Sequence, residues 1–338
     1  MAPTKDKEPE RTRLGKAPTP AMGGERLAGV KVRPMVAADL AEARRIFQLA
    51  FGTFLGLPDP ASFAADRDFT ARWHADPDSG LAAELDGRLI GSNFLTRWGS
   101  FGFFGPLTVL PEYWDCSVAQ ALLGPTVERF QSWGVRDVAL FTFAHSPKHV
   151  ALYQKFGFWP GSQTALLSAP AAPRQVVNAV AFSSLDAAAQ AEALAACAAV
   201  TGAILDGLNV GREIEAIAAQ QLGDTLLLWA TGGLEAFACC HCGAGTEAGA
   251  GNLYIKFAGL RPGPGAPQAF DRLLDAAHQL AAARGLKRVE TGVSLARRRA
   301  WVQLLARGFR ISMLGVSMHR PDTPAYNRPD VFALDDWR

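Results

Sequence analysis

The sequence predicts an α/β protein built from two consecutive domains of similar organisation. Its 338 residues are more than twice the roughly 150 residues of a typical domain. From Val30 onward, short segments with the periodicity of strands alternate with segments of helical periodicity. The same order of segments returns after residue 175, which indicates an internal duplication.

The composition is that of a globular protein. Hydrophobic residues make up 49% of the chain and charged residues 20%, which excludes a largely disordered protein. The net charge of +2 gives no electrostatic reason to expect nucleic acid or a membrane as partner. Five cysteines, an odd number, favour reduced thiols, and no stretch has the apolar length of a spanning helix or a signal peptide. We therefore expect a cytoplasmic protein.

The first half begins with a strand and a helix. Segment 30–35, VKVRPM, predicts the strand, and segment 37–52 places several apolar residues on one helical stripe. These are Leu40, Ala43, Ile46, Phe47 and Ala50. A second amphipathic segment at 61–75 predicts another helix. Segment 80–99 predicts a hairpin that turns at Asp86–Gly87, a pair typical of tight hairpin turns.

Four further elements complete this half. Segment 101–110 predicts a strand that ends before Pro111, and a helix follows at 117–133. A strand at 137–144 leads to a helix at 147–156, which ends at Gly157, a residue type common just after helices.

The second half repeats this order. Its predicted elements are a strand at 175–184, helices at 185–200 and 211–223, and strands at 224–231, 234–242 and 252–260. A fixed offset of 151 residues aligns the two halves at turns and at core leucines. It places Pro111 on Pro262, Leu122–Leu123 on Leu273–Leu274, Gly134 on Gly285, Val138 on Val289, and Gly157–Phe158 on Gly308–Phe309.

Four regions follow from this pattern. We expect a solvated tail at 1–29, domains at 30–168 and 175–320 joined by a linker at 169–174, and a terminal segment at 321–338. That last segment is too short and too rich in proline to form a domain. Its aromatic residues predict that it docks on a neighbouring surface.

Two motifs in the first half resemble those of the GCN5-related N-acetyltransferases, the GNAT family. Segment 108–123, TVLPEYWDCSVAQALL, is similar to the family's acyl-CoA segment, and segment 146–158, SPKHVALYQKFGF, to its fourth helix. The resemblance implies two tandem GNAT-like domains, each a mixed, mostly antiparallel sheet flanked by helices and ending in two strands after the last helix. It also implies acetyl-CoA as cosubstrate and a small-molecule or peptide amine as acceptor, without a metal, and leaves a homodimer possible.

A helix N-terminus with free amides suits a pyrophosphate, which predicts that the start of the helix near residues 115–120 holds this part of the cosubstrate. The resemblance assigns the backbone of 107–109 to the pantetheine amides and two residues of the next helix to the adenosine side. The expected cofactor-binding residues are Leu107, Thr108, Val109, Trp114, Asp115, Cys116, Ser117, Val118, Ala119, Gln120, Ser146 and His149.

This loop departs from the family pattern Gln/Arg-x-x-Gly-x-Gly/Ala. The matching positions are Trp114, Ser117 and Ala119, of which only Ala119 fits. The Ser117 side chain crowds a glycine position, and the Asp115 carboxylate opposes a pyrophosphate unless a cation intervenes. Alternatively, Asp115 or Ser117 only caps the helix.

Direct transfer to an amine requires a proton for the departing thiolate. A tyrosine phenol remains protonated at neutral pH, and in the family this donor is the tyrosine four residues before the glycine of Gly-Phe, here Tyr153. The equivalent residue of the second half, Leu304, cannot donate a proton. His145 and Glu112 are the candidate general bases, although some family members deprotonate the amine through water and backbone carbonyls.

The second half departs further from the family. Gln268 and Phe270 stand at its glycine positions, and three prolines, Pro262, Pro264 and Pro267, remove amide donors. A shifted register would offer two glycines beside Arg261. We therefore expect activity in the first half, with activity in the second half, or a non-catalytic acyl-CoA sensor or scaffold, as alternatives.

Three other motifs carry weaker expectations. The run Cys239–Cys242 alternates between the two faces of a strand and predicts buried thiols rather than a metal site. The glycine-rich segment 243–252 predicts a mobile connection, and Arg297–Arg299 predict a solvated helix start or an anion site.

Overall fold

The computed structural model describes residues 27–172 and 175–338. Most of the predicted tail at 1–29 and part of the linker lie outside these residues. The described residues form thirteen strands in one continuous sheet, with helices on both faces.

Each half contributes strands and helices in the predicted order. The first half has β1 (Lys31–Pro34), α1 (Leu40–Phe54), α2 (Ala71–Ala75), β2 (Gly80–Leu85), β3 (Arg88–Trp98), β4 (Phe101–Val109), α3 (Val118–Ser132), β5 (Asp137–Thr142), α4 (Pro147–Gln154) and β6 (Trp159–Pro170). The second half has β7 (Val180–Ala181), α5 (Ala187–Ile204), α6 (Gly211–Ala219), β8 (Gly223–Ala230), β9 (Gly233–Gly243), β10 (Gly249–Leu260), α7 (Ala266–Ala283), β11 (Arg288–Ser294), α8 (Arg298–Ala306) and β12 (Arg310–Arg320). The terminal segment adds β13 (Ala333–Leu334).

The internal duplication extends to strand register. β4 pairs in parallel with β5 at Phe101 and Asp137, and β10 pairs in parallel with β11 at Asn252 and Arg288. Both residues of the second pair lie 151 positions after those of the first. The two halves therefore place the same backbone positions side by side.

The halves exchange their last strands. The strand order is β1-β2-β3-β4-β5-β12-β6-β11-β10-β9-β8-β7. The last strand of the second half, β12, pairs with β5 of the first, and β6 of the first half pairs with β11 of the second. β6 and β12 also pair with each other, antiparallel, at the centre of the sheet. The two halves are thus parts of one sheet rather than separately closed units.

Three predicted elements differ from the structure. The helix predicted at 61–75 is reduced to α2, because the residues just before it form backbone hydrogen bonds with the second half instead, as the Asp68 amide does with the Thr246 carbonyl. The strand predicted at 175–184 is reduced to β7. Each half has one strand after its last helix instead of two. The strand exchange explains this difference, since the partner half supplies the missing neighbour.

The longest helix of the second half, α5, is long and apolar enough to span a membrane by length and composition alone. It lies on the sheet instead, with Cys197, Val200 and Ile204 buried in a core that also contains Trp98 and Phe101 of the first half. A core helix of a globular protein passes the same composition test. This core, shared by the two halves, joins them on one face of the sheet.

The terminal segment packs into the molecule. Tyr326 and Trp337 are buried in the core shared by the halves, and β13 pairs with β10. Arg297, expected on a solvated helix start, is instead fully buried. Its guanidinium forms two hydrogen bonds with Asp335, of 2.9 and 3.0 Å, and lies over the Tyr326 ring. The arginine holds the segment in place.

Two of the three thiols of strand β9 are buried as predicted and Cys242 is partly buried, whereas the glycine-rich connection after the strand differs from its prediction. Cys239 and Cys240 are buried in the cores on opposite faces of the sheet. The part of the chain that the structure describes contains no group of His, Cys, Asp and Glu able to hold a metal ion. Within the connection expected to be mobile, Glu247 is fully buried and paired with Arg72 of the first half.

Candidate active site

A cleft opens in the first half where β4 and β5 separate. These strands pair over only three positions, from Phe101 opposite Asp137 to Phe103 opposite Ala139. Beyond them, the edge of β4 from Phe104 to Val109 has no strand partner on the β5 side among the described residues. We call this edge, together with the facing end of β5, the first cleft.

The backbone of β4 directs hydrogen-bonding groups into the first cleft. The Leu110 amide donates to the Ile90 carbonyl of β3 at 2.9 Å. Because neighbouring residues of an antiparallel strand direct their groups in opposite directions, the amides and carbonyls of Leu107 and Val109 point toward the cleft. The Val109 carbonyl accepts a hydrogen bond from the Trp114 indole at 2.8 Å, which leaves the Val109 amide and both Leu107 groups available.

The equivalent cleft of the second half, between β10 and β11, is filled by the chain itself. β13 pairs antiparallel with β10 through Leu334 opposite Ala258 and Ala333 opposite Gly259. The Leu260 amide donates to the Phe332 carbonyl at 3.2 Å, and on the other side the Asp335 amide donates to the Gly292 carbonyl at 3.1 Å. Ala258 and Leu260 lie 151 residues after Leu107 and Val109. An extended segment therefore occupies in the second half the place that is open in the first.

The loop before α3 has the backbone shape expected of a glycine-containing loop. Asp115 and Ser117 both have positive φ, at 65° and 63°, a region that favours glycine. Ser117 directly precedes α3, but its side chain caps no amide of the helix. Its hydroxyl instead faces the Gln120 side chain at 3.5 Å. The alternative in which Ser117 or Asp115 serves as a side-chain cap of this helix is therefore not observed, and no side chain among residues 27–172 and 175–338 caps the first amides of α3.

Lys148 provides the cation that the loop requires. Its ammonium lies 2.5 Å from the Asp115 carboxylate. Both side chains are more than half exposed, so the pair contributes little to stability, but it offsets the charge that would repel a pyrophosphate. The sequence analysis did not identify Lys148, because it lies 33 residues beyond Asp115 and no local pattern connects them. Cys116, between the two positive-φ residues, is partly buried with its thiol 3.5 Å from the Trp114 carbonyl.

The start of α4 lies next to this loop. Ser146 is the N-cap of α4, and its hydroxyl accepts a weak hydrogen bond from the His149 amide at 3.5 Å. The His149 ring is half-buried, and its Nδ1 atom has no hydrogen-bond partner. Burial, Lys148 and His145 together lower the pKa of His149. A neutral imidazole beside the first cleft is therefore favoured at neutral pH.

Tyr153 lies at the point where β4 and β5 begin to separate. Its ring packs on Phe104, the first residue of β4 beyond the pairing with β5, with ring centroids 5.9 Å apart. Its side chain is largely buried, and burial raises the pKa of the phenol above its ordinary value. The phenol is therefore protonated throughout the physiological range.

The structure does not bring the two candidate bases to Tyr153. Glu112 is half-exposed and forms an ion pair with Arg88 at 3.2 Å. His145 is exposed and lies against the rings of Phe54 and Phe143. No hydrogen bond among the described residues connects either of them with Tyr153. Arg72, which sequence analysis also missed, does reach the cleft: its guanidinium donates to the Gly105 carbonyl at 2.5 Å.

Comparisons with known proteins show the fold of the chain and a family match for part of its first half. Residues 42–158 match the acetyltransferase (GNAT) family. None of the curated proteins matches the sequence. A putative acetyltransferase from Pyrococcus horikoshii has 16% sequence identity and a TM-score of 0.67, with 92% of this chain and 96% of that one covered.

Two further solved structures share the arrangement of both halves. A GCN5-related N-acetyltransferase from Sphaerobacter thermophilus has 18% identity and a TM-score of 0.57, over 87% of this chain and 96% of that one. A tandem GNAT protein from the clavulanic acid biosynthesis pathway has 13% identity and a TM-score of 0.54, over 86% of this chain and 98% of that one. The predicted tandem fold is confirmed by these likenesses.

Proposed function

The chain carries a GNAT N-acetyltransferase domain at residues 42–158, and on that premise we propose that the first half binds acetyl-CoA in the first cleft. It transfers the acetyl group directly to a primary amine, with Tyr153 as the proton donor. In this proposal the second half has no catalytic role of its own and contributes strands and a surface to the shared molecule.

One observation carries this assignment. The two clefts are equivalent in register, and the second contains β13, an extended segment whose backbone is hydrogen-bonded to both walls. The pantetheine arm of acetyl-CoA is also extended and also carries amides. The first cleft presents the same backbone groups, at Leu107 and Val109, without an occupant from the described chain. A pantetheine arm in the first cleft would form the hydrogen bonds that β13 forms in the second.

The start of α3 would hold the pyrophosphate. The amides of its first turn and the positive end of the helix dipole attract phosphate oxygens, and Asp115 is offset by Lys148. The other residues of this loop, Trp114, Cys116 and Ser117, would shape the cradle. Ser146 and His149, at the neighbouring start of α4, would flank the adenosine.

The reaction needs an uncharged amine and a protonated leaving group. The amine nitrogen attacks the thioester carbon, the carbon–nitrogen bond forms and the carbon–sulfur bond breaks. The departing thiolate takes the phenol proton of Tyr153, and the surplus proton of the amine passes to solvent, from which the phenol is reprotonated. Burial keeps that phenol protonated until sulfur develops charge.

A single experiment with three variants tests both assignments. We expect Tyr153→Phe to bind acetyl-CoA within about twofold of the wild type and to lose on the order of 100-fold in kcat, since only the proton donor is removed. Ser117→Asp keeps a residue type that tolerates positive φ but adds a negative charge at the start of α3. We expect it to weaken acetyl-CoA binding by roughly tenfold or more. Calorimetric titration measures binding, and thiol release in the presence of an amine panel measures turnover.

Gln268→Asp is the matched control. It adds the same charge 151 residues later, at the exposed start of α7, and we expect no change in acetyl-CoA binding. A larger loss with Gln268→Asp than with Ser117→Asp would place the cosubstrate in the second half. Binding by the wild type without turnover of any amine would identify a sensor, and absence of binding would identify a scaffold.

A further inference from the structure

A small cavity lies between the two halves and is lined by both. It has a volume of about 40 Å³ and is partly open to solvent. α2 and the end of β3 line it from the first half, and α6, β9 and β10 line it from the second. Arg72 connects it with the first cleft, since this residue lines the cavity and also donates to the Gly105 carbonyl, two residues beyond the paired part of β4.

The cavity contains buried polar atoms without partners. Trp98 and His241 are each only 1% exposed, and both line the cavity. Within the described part of the chain, the Trp98 indole nitrogen, the His241 Nδ1 atom and the Thr96 hydroxyl have no hydrogen-bond partner. Leaving three such groups unpaired is costly, and all three residues line the same cavity, which points to a polar occupant.

These three atoms differ in what they can bind. The Trp98 nitrogen can only donate a hydrogen bond, and the Thr96 hydroxyl can donate as well, so both suit an anionic oxygen. His241 lies with Nε2 3.3 Å from the Glu213 carboxylate. Burial opposes ionisation of Glu213, but Lys256 and His241 outweigh it and lower its pKa to about 2. In the neutral ring, donation from Nε2 to this carboxylate leaves Nδ1 with a lone pair that can accept from an uncharged amine.

The charges around the cavity favour the same occupant. Four cationic side chains line it, Arg72, Arg97, Arg212 and Lys256, against the carboxylates of Asp76 and Glu213. Even when Glu247 is included, which binds both Arg72 and Lys256, cations outnumber carboxylates by one. A carboxylate entering the cavity would offset this excess. The same positive surroundings lower the pKa of an amine, and direct transfer requires the unprotonated form.

A wider groove continues outward from the cavity. It measures about 510 Å³ and is lined by Trp133, Asn209 and Glu215, among others. Arg97 and Arg212 line both spaces, and their guanidinium groups bind the same Asp76 oxygen, at 2.9 and 2.8 Å. Arg212 is more than half exposed, so it can turn toward an anionic ligand without crossing a packed core.

We propose that the cavity between the halves binds the acceptor, and that this acceptor is a primary amine carrying a carboxylate, as in a free amino acid. The proposal rests on the function proposed above. Trp98, Thr96 and Arg212 bind the carboxylate, and His241 accepts from the amine. The groove outside Arg212 leaves space for the acceptor's side chain.

Matched pairs of amines that differ only in the carboxylate test this proposal. The pairs are glycine and methylamine, alanine and ethylamine, histidine and histamine, and tyrosine and tyramine. We expect the carboxylate-bearing member of at least one pair to release thiol from acetyl-CoA with a kcat/KM at least tenfold higher than its partner. We expect Arg212→Met to remove most of that preference by raising KM while leaving kcat nearly unchanged.

Arg136→Met is the control variant. Arg136 also joins the halves through an exposed ion pair, with Asp206 at 2.9 Å, but it does not line the cavity. It should leave the preference intact. The proposal is overturned if no pair favours the carboxylate, or if the two variants reduce the preference equally.

A binding measurement separates this proposal from the proposed function. The same eight amines are titrated into the protein without acetyl-CoA, and the shift in melting temperature is recorded. Stabilisation by amino acids in the wild type, lost in Arg212→Met, supports the acceptor site even if no thiol is released, and in that case only the transfer reaction fails. Absence of any such stabilisation together with turnover of simple amines rejects the site and retains the enzyme.

Discussion

Several buried side chains in this molecule are held in a protonation state that the sequence alone does not indicate. His319 of β12 is only 4% exposed and lies against the Trp337 ring, with Asn327 3.4 Å from its Nε2 atom. Burial and Arg297 lower its pKa to about 4, more than Asp137 and Asp322 raise it. A histidine lies at this position because it fills the space between β12 and the terminal segment as an uncharged ring.

The lowered pKa of His319 has a consequence for stability. Above pH 6.5 both the folded and the unfolded states carry a neutral His319, whereas between pH 6.5 and 4 only the unfolded state takes up the proton. Stability is therefore lost as pH falls through this window. Between pH 7 and pH 4.5, we expect the free energy of unfolding measured in urea to fall by about 2 to 3 kcal/mol more in the wild type than in His319→Gln.

His74→Gln is the control for that measurement, because His74 is exposed. The free energy of unfolding of this variant should change with pH as it does in the wild type. An equal loss of stability in all three proteins would show that His319 is protonated in the folded state.

Among the elements, the terminal strand β13 is the clearest difference between the two clefts, because it is present in the second cleft and not in the first. It is only two residues long. Backbone hydrogen bonds to β10 and β11 and the Arg297–Asp335 ion pair hold this segment in place. Gly292 of β11 permits its approach, because a Cβ atom there would lie 2.2 Å from the Cβ of Asp336. The equivalent position of the first half, 151 residues earlier, is Phe141. Its ring lies against Gly315 of β12, where a Cβ atom would clash with it, and no described segment of the chain takes the place of β13 in the first half.

Substitution of Gly292 should release the terminal segment. We expect Gly292→Ala to destabilise the protein by roughly 1 to 3 kcal/mol through overpacking. Chymotrypsin should then cleave after Tyr326 and Phe332, which are buried in this segment, faster than in the wild type, as mass spectrometry of the fragments would show.

Gly265→Ala provides the comparison. Gly265 precedes α7 in the same half, and a Cβ atom there would meet nothing closer than 3.9 Å. Its cleavage rate should be that of the wild type. Unchanged cleavage in Gly292→Ala would mean that the segment tolerates displacement and is not fixed by this contact.

At the scale of the whole molecule, the exchanged strands and one buried ion pair join the halves. β6 of the first half pairs with β11 and β12 of the second half, and β12 pairs with β5 and β6 of the first half. Arg72 and Glu247, 175 residues apart in sequence, form two hydrogen bonds of 2.8 Å in a fully buried position. Neither half can keep its sheet complete without the other.

This arrangement predicts one cooperative unfolding transition. We expect hydrogen exchange in increasing urea to show β3 and β9, which lie in different halves, losing protection at the same urea concentration. Arg72→Met should lower the stability of both by up to about 3 kcal/mol, since it removes one of the two cations that bind the buried Glu247 carboxylate and leaves only Lys256. Two separate transitions, or destabilisation confined to β3, would contradict the shared sheet.

Much of the fold could be predicted from the sequence. Turn residues and core leucines at a constant offset of 151 indicated the duplication. Two halves that pack in the same way must begin and end their strands and helices at equivalent positions. The hairpin at Asp86–Gly87 and the helices α3, α4, α5 and α6 followed from local periodicity. The motifs around Trp114 and Tyr153 lie within residues 42–158, the part of the chain that matches the GNAT family. These features depend on short-range geometry, which a sequence displays directly.

Only the tertiary structure decided which strands pair across the halves, which cleft is filled, and what surrounds Arg72, Lys148, Arg297 and Glu247. Each of these facts joins residues far apart in the chain, and a charged residue has the same appearance in a sequence whether it is solvated or paired in a core. Local patterns determine the elements because periodicity and turn chemistry act over a few residues. Partners are decided by packing, which acts between elements that the sequence does not show side by side.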